Sequence, residues 1–185
     1  QKGKEEKMIE WLDAGTIELF QPLHNPVLTV IMKFFTTIGE GGAVWILAAV
    51  LLLLFKKTRK AGIILAGALV LCLLSCNIAL KNLVARPRPC WRREDLEMLI
   101  AIPKDFSFPS GHTTASFAGA VCIFSWDRRW GIVAYVTAVL IAVSRLYFFV
   151  HYATDVLAGM VLGTCMAWIS IKVVNKIMSN RTMKG

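Results

Sequence analysis

Five apolar runs constrain this chain more than any other feature: Ala43–Phe55, Ala61–Leu80, Ala115–Trp126, Gly131–Val150 and Val156–Val174. A hydrocarbon core about 30 Å thick asks for about 20 apolar residues per helical span. Two of the runs reach that length, and neighbouring Gly, Ser and Thr extend the others. Alternation of period two is absent, which argues against a membrane barrel. A hydrophobic content of 56% and a mean hydropathy of +0.59 agree, and 185 residues suit one domain. The expected fold class is all-α: a polytopic transmembrane helical bundle of five to six spans with an amphipathic N-terminal helix. Within a single domain over 1–185, this gives an interfacial segment at 1–25, a transmembrane core at 43–176 and a long loop at 82–110.

The net charge of +9 does not point to nucleic acid, because its distribution is that of a membrane protein. Lys56, Lys57, Arg59 and Lys60 share one short loop, Arg128 and Arg129 another, and Lys172, Lys176, Arg181 and Lys184 crowd the C-terminus. If the five runs each cross, all three places fall on one side, and the positive-inside rule makes that side cytoplasmic. The segments Lys81–Ser110 and Arg145–Asp155 then face the outside. Cys72, Cys76, Cys122 and Cys165 lie within runs and read as small apolar residues. Cys90 stands alone in a loop, and neither a disulfide framework nor metal-ligand spacing emerges.

Lys4–Phe20 reads as an amphipathic helix lying on the membrane surface. Met8, Trp11, Leu12 and Leu19 form its apolar face, and Lys4, Glu5, Glu6, Glu10 and Asp13 fall largely elsewhere. Pro26 suits a first helical turn. Ala43–Phe55 alone spans only about 20 Å, so Pro26–Phe55 is read as one bent element. Its kink falls at Gly39-Glu40-Gly41-Gly42, and Glu40 is read as an interfacial carboxylate. The connection from Asn82 to Ser110 is long, and long loops are usually functional or disordered. Its basic residues are partly balanced by Glu94, Asp95, Glu97 and Asp105. A short helix is expected over Leu96–Ile102, and the tail after Asn175 is expected to fray.

Three clusters carry chemistry. In Ser144-Arg145-x5-His151-x3-Asp155, a histidine and a carboxylate four residues apart share one face if the backbone is helical. The carboxylate can hold one imidazole nitrogen and leave the other free as base or nucleophile. In Lys81-x6-Arg88-Pro89, a point charge is paired with a planar fork that takes two phosphate oxygens. Arg86, Arg92 and Arg93 beside it read as anchors to lipid headgroups. In Pro109-Ser110-Gly111-His112, Ser110 is a candidate N-cap and Gly111 exposes its N–H at a helix start, a favourable place for an anion. His112 beside that anion could give a proton to a leaving oxygen. The topology puts all three clusters on one face, and together they suit in-line displacement at phosphorus.

These motifs, in this order and spacing, resemble the three signature motifs of the type 2 phosphatidic acid phosphatase family, in its membrane branch, and every specified position matches. The resemblance implies that His151 is the nucleophile, forming a phosphohistidine, and that Asp155 fixes its tautomer. It further implies that His112 protonates the departing alkoxide and then activates water. Lys81, Arg88 and Arg145 bind the phosphoryl oxygens, with the Ser110 hydroxyl and the Gly111 N–H. No metal or other cofactor is implied, since fixed cations do what Mg²⁺ does elsewhere.

The expected activity is therefore metal-independent hydrolysis of a lipid phosphomonoester or diphosphate in a bacterial plasma membrane, at the outer face. Phosphatidic acid, phosphatidylglycerol phosphate and undecaprenyl diphosphate all fit. A vanadium-haloperoxidase-like enzyme and a non-catalytic lipid-phosphate-binding protein are the alternatives. The partner is a bilayer lipid, not nucleic acid.

Overall fold

The computed structural model describes residues 12–93 and 98–182, so Lys4, Glu5, Glu6, Met8, Glu10 and Trp11 of the expected first helix and residues 96–97 of the expected loop helix lie outside the described residues. Residues 12–20 are helical (α1). They are followed by α2 (Pro26–Ile38), α3 (Ala43–Leu54) and a long element that starts as α4 (Arg59–Cys72). This element continues through a π-helical stretch (Leu73–Leu80) into α5 (Lys81–Val84). A short α6 (Pro89–Arg92), α7 (Gly111–Trp126), α8 (Arg128–Tyr147) and α9 (Ala153–Thr182) complete the order. No strand is present among the described residues.

Helix ends follow local chemistry. Asn25 accepts from the Leu28 N–H with Pro26 in the first turn, Ser110 accepts from the Thr113 N–H, and Asp127 accepts from the Arg129 and Trp130 N–H groups. Each thereby satisfies donors that a helix start leaves unpaired. Gly41 and Gly42 adopt φ of 57° and 75°, where a side chain would be strained. There α2 and α3 meet at 45°, so the bend lies at the glycine cluster, as the sequence indicates.

Among the described residues, three helices are long and apolar enough to cross a membrane, within Arg59–Arg92, Arg128–Tyr147 and Ala153–Asn180, and a fourth crossing arises if the bent α2–α3 pair is one span. The expected run Ala115–Trp126 belongs to α7, whose 16 residues cover about 24 Å. Its surroundings are protein on most sides: Thr113, Thr114, Ser116, Ala118, Gly119, Ala120, Val121 and Cys122 are all buried, against α3, α4, α8 and α9. Small residues make that enclosure possible. The Trp45 indole lies against Gly119 so closely that a methyl group there would overlap it, and it donates to the Ser116 hydroxyl at 2.9 Å. Gly163 of α9 lies against the Thr114 carbonyl of α7 so closely that a methyl group would overlap it. Gly163→Ala should therefore cost about 1–3 kcal/mol through forced separation of the helices. In a thermal scan of the detergent-solubilised protein this is a fall of roughly 2–12 °C; an unchanged midpoint would show that the crossing is looser.

Three expectations need correction. The stretch 98–102 is not helical, because Met98, Leu99 and Ile100 turn inward to pack on Met32, Cys90, Tyr147 and Val150. The helix in this loop lies earlier, at Pro89–Arg92. The tail does not fray at Asn175, since α9 runs on to Thr182. Asp13, read on the solvated face of the first helix, is 4% exposed while Leu12 and Leu19 point outward at 39% and 64%.

The basic turns after α3 and α7 and the far end of α9 lie at the ends of their helices remote from His151. The three motifs gather at the opposite end of the bundle.

Candidate active site

The π-helical stretch is what aims Lys81. Its N–H bonds the Cys76 carbonyl, five residues back. The extra residue in that turn rotates the following side chains relative to a plain α-helix, a device common at functional sites. Lys81 is 6% exposed and its ammonium is paired with the Asp105 carboxylate. Arg88 is 2% exposed. Its Nε donates to the Asp105 carbonyl at 2.7 Å, Nη2 donates to Asp105 Oδ1 at 2.7 Å, and Nη1 donates to the Val150 carbonyl at 2.6 Å. Partial burial acts to raise the Asp105 carboxyl, but Lys81 and Arg88 outweigh it and bring the group down to about 2. Arg145, at the end of α8, donates through Nη1 to the Thr36 hydroxyl.

His151 and Asp155 do not share a helix, so the condition under which their spacing would put them on one face does not hold. Helix α8 stops at Tyr147; Phe148, Phe149 and Val150 leave it as a buried turn, with Phe149 at φ 54°. His151 precedes α9, and Asp155 lies in the first turn of that helix, where its Oδ2 accepts from the Tyr152 N–H at 2.9 Å. The pair still meets: His151 Nδ1 is 3.5 Å from Asp155 Oδ2. On the other side of the ring, Arg88 Nη1 lies 3.0 Å from Nε2. A guanidinium only donates, so Nε2 carries the lone pair and Nδ1 carries the hydrogen, facing Asp155. Burial, with Arg88 and Arg145 nearby, pushes the imidazole down to about 3 against the pull of Asp155, which keeps the ring neutral.

His112 is the second residue of α7. Its Nε2 is buried without a hydrogen-bond partner among the described residues, as is Arg145 Nε. An unpaired buried polar group costs about 1–3 kcal/mol, so both atoms suit a polar ligand. Glu40, at the α2–α3 bend, brings Oε2 to 3.6 Å from His112 Nε2 while staying 77% exposed.

One cavity of about 960 Å³ takes in Lys81, Arg88, Gly111, His112, Arg145 and His151, together with Glu40 and Asp105. Its polar end continues into an apolar arm between α3 and α4, lined by Ile46, Val50 and Leu53 on one side and Leu69, Val70 and Leu73 on the other. Of the sequence-read residues, Asp155 sits behind His151 at 0% exposure and Ser110 is equally buried. Ser110 does not line the cavity; its hydroxyl accepts from Thr113 Oγ1 at 3.0 Å and serves the helix start. No group of three His, Cys, Asp or Glu side chains that could hold a metal occurs among the described residues.

A neutral imidazole beside three cations, a second imidazole and a greasy arm can attack and hold an anion whose tail is apolar. The model of the PAP2 superfamily matches residues 61–179, which carry all three motifs. The chain belongs to the PAP2 superfamily. An undecaprenyl-diphosphatase of Sulfolobus acidocaldarius is 34% identical over 161 residues, covering 85% of this chain and 77% of that protein. The crystal structure of LpxE from Aquifex aeolicus is similar with a TM-score of 0.77 at 28% identity, over 87% of this chain and 95% of that one. A PAP2-type phosphatidylglycerolphosphate phosphatase from Bacillus subtilis follows with a TM-score of 0.74 at 26% identity, over 92% and 88% of the two chains. As a PAP2 protein with membrane-crossing helices, the chain is an integral membrane protein.

Sequence reasoning misses the part played by four side chains at this PAP2 site: Asp13, Arg86, Asp105 and Ser107. Ser107 donates to Asp155 Oδ2 at 2.5 Å and lies 3.4 Å from His151 Nδ1. Asp105 reads in the sequence only as charge balance for its loop. Arg86, read as a headgroup anchor, instead bonds Asp155 Oδ1 at 2.6 Å and Asp13 Oδ2 at 2.5 Å. Spacing gives no sign of these pairings; the only cue is that Ser107 and Arg86 sit beside motif residues.

Proposed function

We propose that this chain hydrolyses a lipid phosphate in the cavity through a phosphohistidine on His151. The observation that carries the reading is the Nε2 atom of His151, faced by the Arg88 guanidinium at the polar end of a cavity whose other end is apolar. An incoming phosphoryl group replaces the Asp105 carboxylate on Lys81 and Arg88 and takes the spare Nε–H of Arg145. The Nε2 lone pair attacks phosphorus, the P–O bond to the lipid breaks, and the His112 proton goes to the departing alkoxide. His112 then takes a proton from water, whose oxygen attacks phosphorus as the P–N bond breaks and inorganic phosphate leaves. Asp155 holds Nδ1–H throughout and balances the charge that develops on the ring. Gly111 offers its N–H at the start of α7, as helix starts favour anions.

The apolar arm between α3 and α4 suits a lipid tail entering from the bilayer. The relatives' substrates support this class: one is named an undecaprenyl-diphosphatase and another a phosphatidylglycerolphosphate phosphatase. We read five crossings, formed by the α2–α3 pair, α4, α7, α8 and α9, with α1 on the membrane surface and the site outside. Cys90 is buried and cannot report that topology. A cysteine at the exposed Lys104 should instead react with an impermeant label from outside intact cells, and labelling only after lysis would invert the orientation.

The substrate test is phosphate release from phosphatidic acid, phosphatidylglycerol phosphate and undecaprenyl diphosphate, compared by kcat/KM in detergent with EDTA present. Because Lys81, Arg88 and Arg145 supply the positive charge, release from at least one lipid should persist within about twofold in chelator. Loss of all activity in EDTA would overturn the metal-independent mechanism. Bromide oxidation by added hydrogen peroxide in the presence of vanadate, with no phosphate release from any lipid, would favour a haloperoxidase.

A further inference from the structure

Behind Asp155 lies a charged pair, Arg86 and Asp13, that the reaction steps do not use. Asp13, on α1, is buried with a side-chain exposure of 5%, and Asp155 is at 0%. Two buried carboxylates with no cation between them would be costly. Arg86 stands between them: Nη1 donates to Asp155 Oδ1 at 2.6 Å and to the Thr154 hydroxyl at 2.8 Å, and Nη2 donates to Asp13 Oδ2 at 2.5 Å. The guanidinium lies over the Tyr152 ring, 4.0 Å from its centroid. Asp13 Oδ1 in turn accepts from the Thr154 N–H at 3.2 Å and from its hydroxyl at 3.0 Å. The N-terminal helix is therefore tied to the start of α9, and Ile17 adds an apolar contact with Phe149 in the turn before it.

A headgroup anchor would point its guanidinium outward and hold nothing inside. A mere staple for α1 would need Asp13 but not Asp155. The arrangement does more, because Arg86 takes the Oδ1 oxygen of the same carboxylate whose Oδ2 faces Ser107 and His151 Nδ1. A bond at each oxygen stops the carboxylate rotating, and the fixed positive charge limits how strongly it draws the Nδ1 proton. Only a planar fork can hold two carboxylates at once; an ammonium cannot take both with comparable geometry.

We propose that Arg86, held in place by Asp13, is a positioning residue for the His151–Asp155 pair, so that docking of the N-terminal helix sets the rate of phosphoryl transfer. The proposal rests on the reading of His151 as nucleophile. Arg86 touches no reacting atom; it acts through Asp155.

The test uses the full chain in detergent, with whichever of phosphatidic acid, phosphatidylglycerol phosphate and undecaprenyl diphosphate the wild type turns over fastest. Partners one layer behind a functional histidine are typically worth about 10–100-fold. Arg86→Gln should lower kcat by about 100-fold with KM within about threefold, since the substrate cations are untouched. Arg86→Lys should recover about tenfold of that loss by restoring the charge without the fork. Asp13→Asn should lower kcat by about tenfold.

The pH profile separates positioning from scaffolding. His151 faces Asp155, Arg88, Arg145 and His112. Without the Arg86 charge, Asp155 holds the imidazole proton more strongly, and the acid limb of kcat/KM should move to higher pH. Wild-type kcat in Arg86→Gln and Asp13→Asn, with an unmoved limb in Arg86→Gln and only a lower melting temperature, would overturn the proposal. Should Arg86→Gln fail to fold, Asp13→Asn decides alone through kcat, because it changes one atom and weakens the hold on Arg86 without removing the Arg86 charge. His151→Ala run alongside separates the two readings. If that variant is inactive and the Arg86 and Asp13 variants are normal, the positioning proposal alone fails. If His151→Ala is fully active, the nucleophile reading fails and takes this one with it.

Discussion

Phosphate release is expected to fall by at least about 10⁴-fold in His151→Ala, because the bond to phosphorus then has no nitrogen to form with. The imidazole is held ready to attack. Its Nδ1 side is closed by Asp155 and Ser107, its Nε2 side opens on Arg88, and the whole residue is 3% exposed. Burial also keeps it neutral well below ordinary pH. A variant that elutes as a single species and keeps a cooperative melt makes the loss a chemical one. Initial rates with EDTA present would measure the loss. Residual activity near the wild-type level in folded His151→Ala would remove the proposed nucleophile.

His112→Ala is expected to show a second large loss, about 10²–10⁴-fold for a lipid substrate. An alkoxide leaves poorly without a proton, and His112 is the imidazole whose Nε2 lacks a partner in the cavity. The loss should shrink when the leaving group is p-nitrophenolate, which departs without help. In that case the first step outruns the second, where His112 is also needed to activate water, and the variant should give a burst of p-nitrophenol before slow turnover. Equal losses for both leaving groups, with no burst, would mean that His112 does not act as the acid.

The parts of the site that could be read in advance are those written into local spacing. Lys81, Arg88, His112, Arg145 and His151 line one cavity, and each sits at a fixed offset from a neighbour within its motif. Ser110 could be read as a helix cap for the same reason, since capping acts over three residues; its second assignment, to the phosphate, is not matched by a place in the cavity lining. What escaped is chosen by tertiary packing. Asp13 and Thr154 are 141 residues apart, Arg86 and Asp155 are 69 apart, and Ser107 and Asp155 are 48 apart. A basic residue in a loop beside a membrane has an obvious bland explanation, and only the position of α1 reveals that Arg86 faces inward.

The helices divide in the same way. The apolar runs made α3, α4, α8 and α9 legible, and the glycine cluster marked the bend between α2 and α3. The π-helical stretch before Lys81 left no sign, because one extra residue in a turn does not alter an all-apolar pattern. Nor did the turn at Phe148–Val150, whose residues are as apolar as the helix they interrupt. That turn frees His151 from the helix and lets it meet Asp155.

Every step of the reaction depends on a covalent bond between phosphorus and His151. Its most direct measurement is a rapid alkaline quench of the enzyme with a ³²P-labelled lipid phosphate during turnover, followed by peptide mapping. The expected result is a base-stable, acid-labile label on the peptide carrying His151, absent in His151→Ala and accumulating in His112→Ala when ³²P-labelled p-nitrophenyl phosphate replaces the lipid. Turnover without a protein-bound label, or a label on another residue, would contradict it.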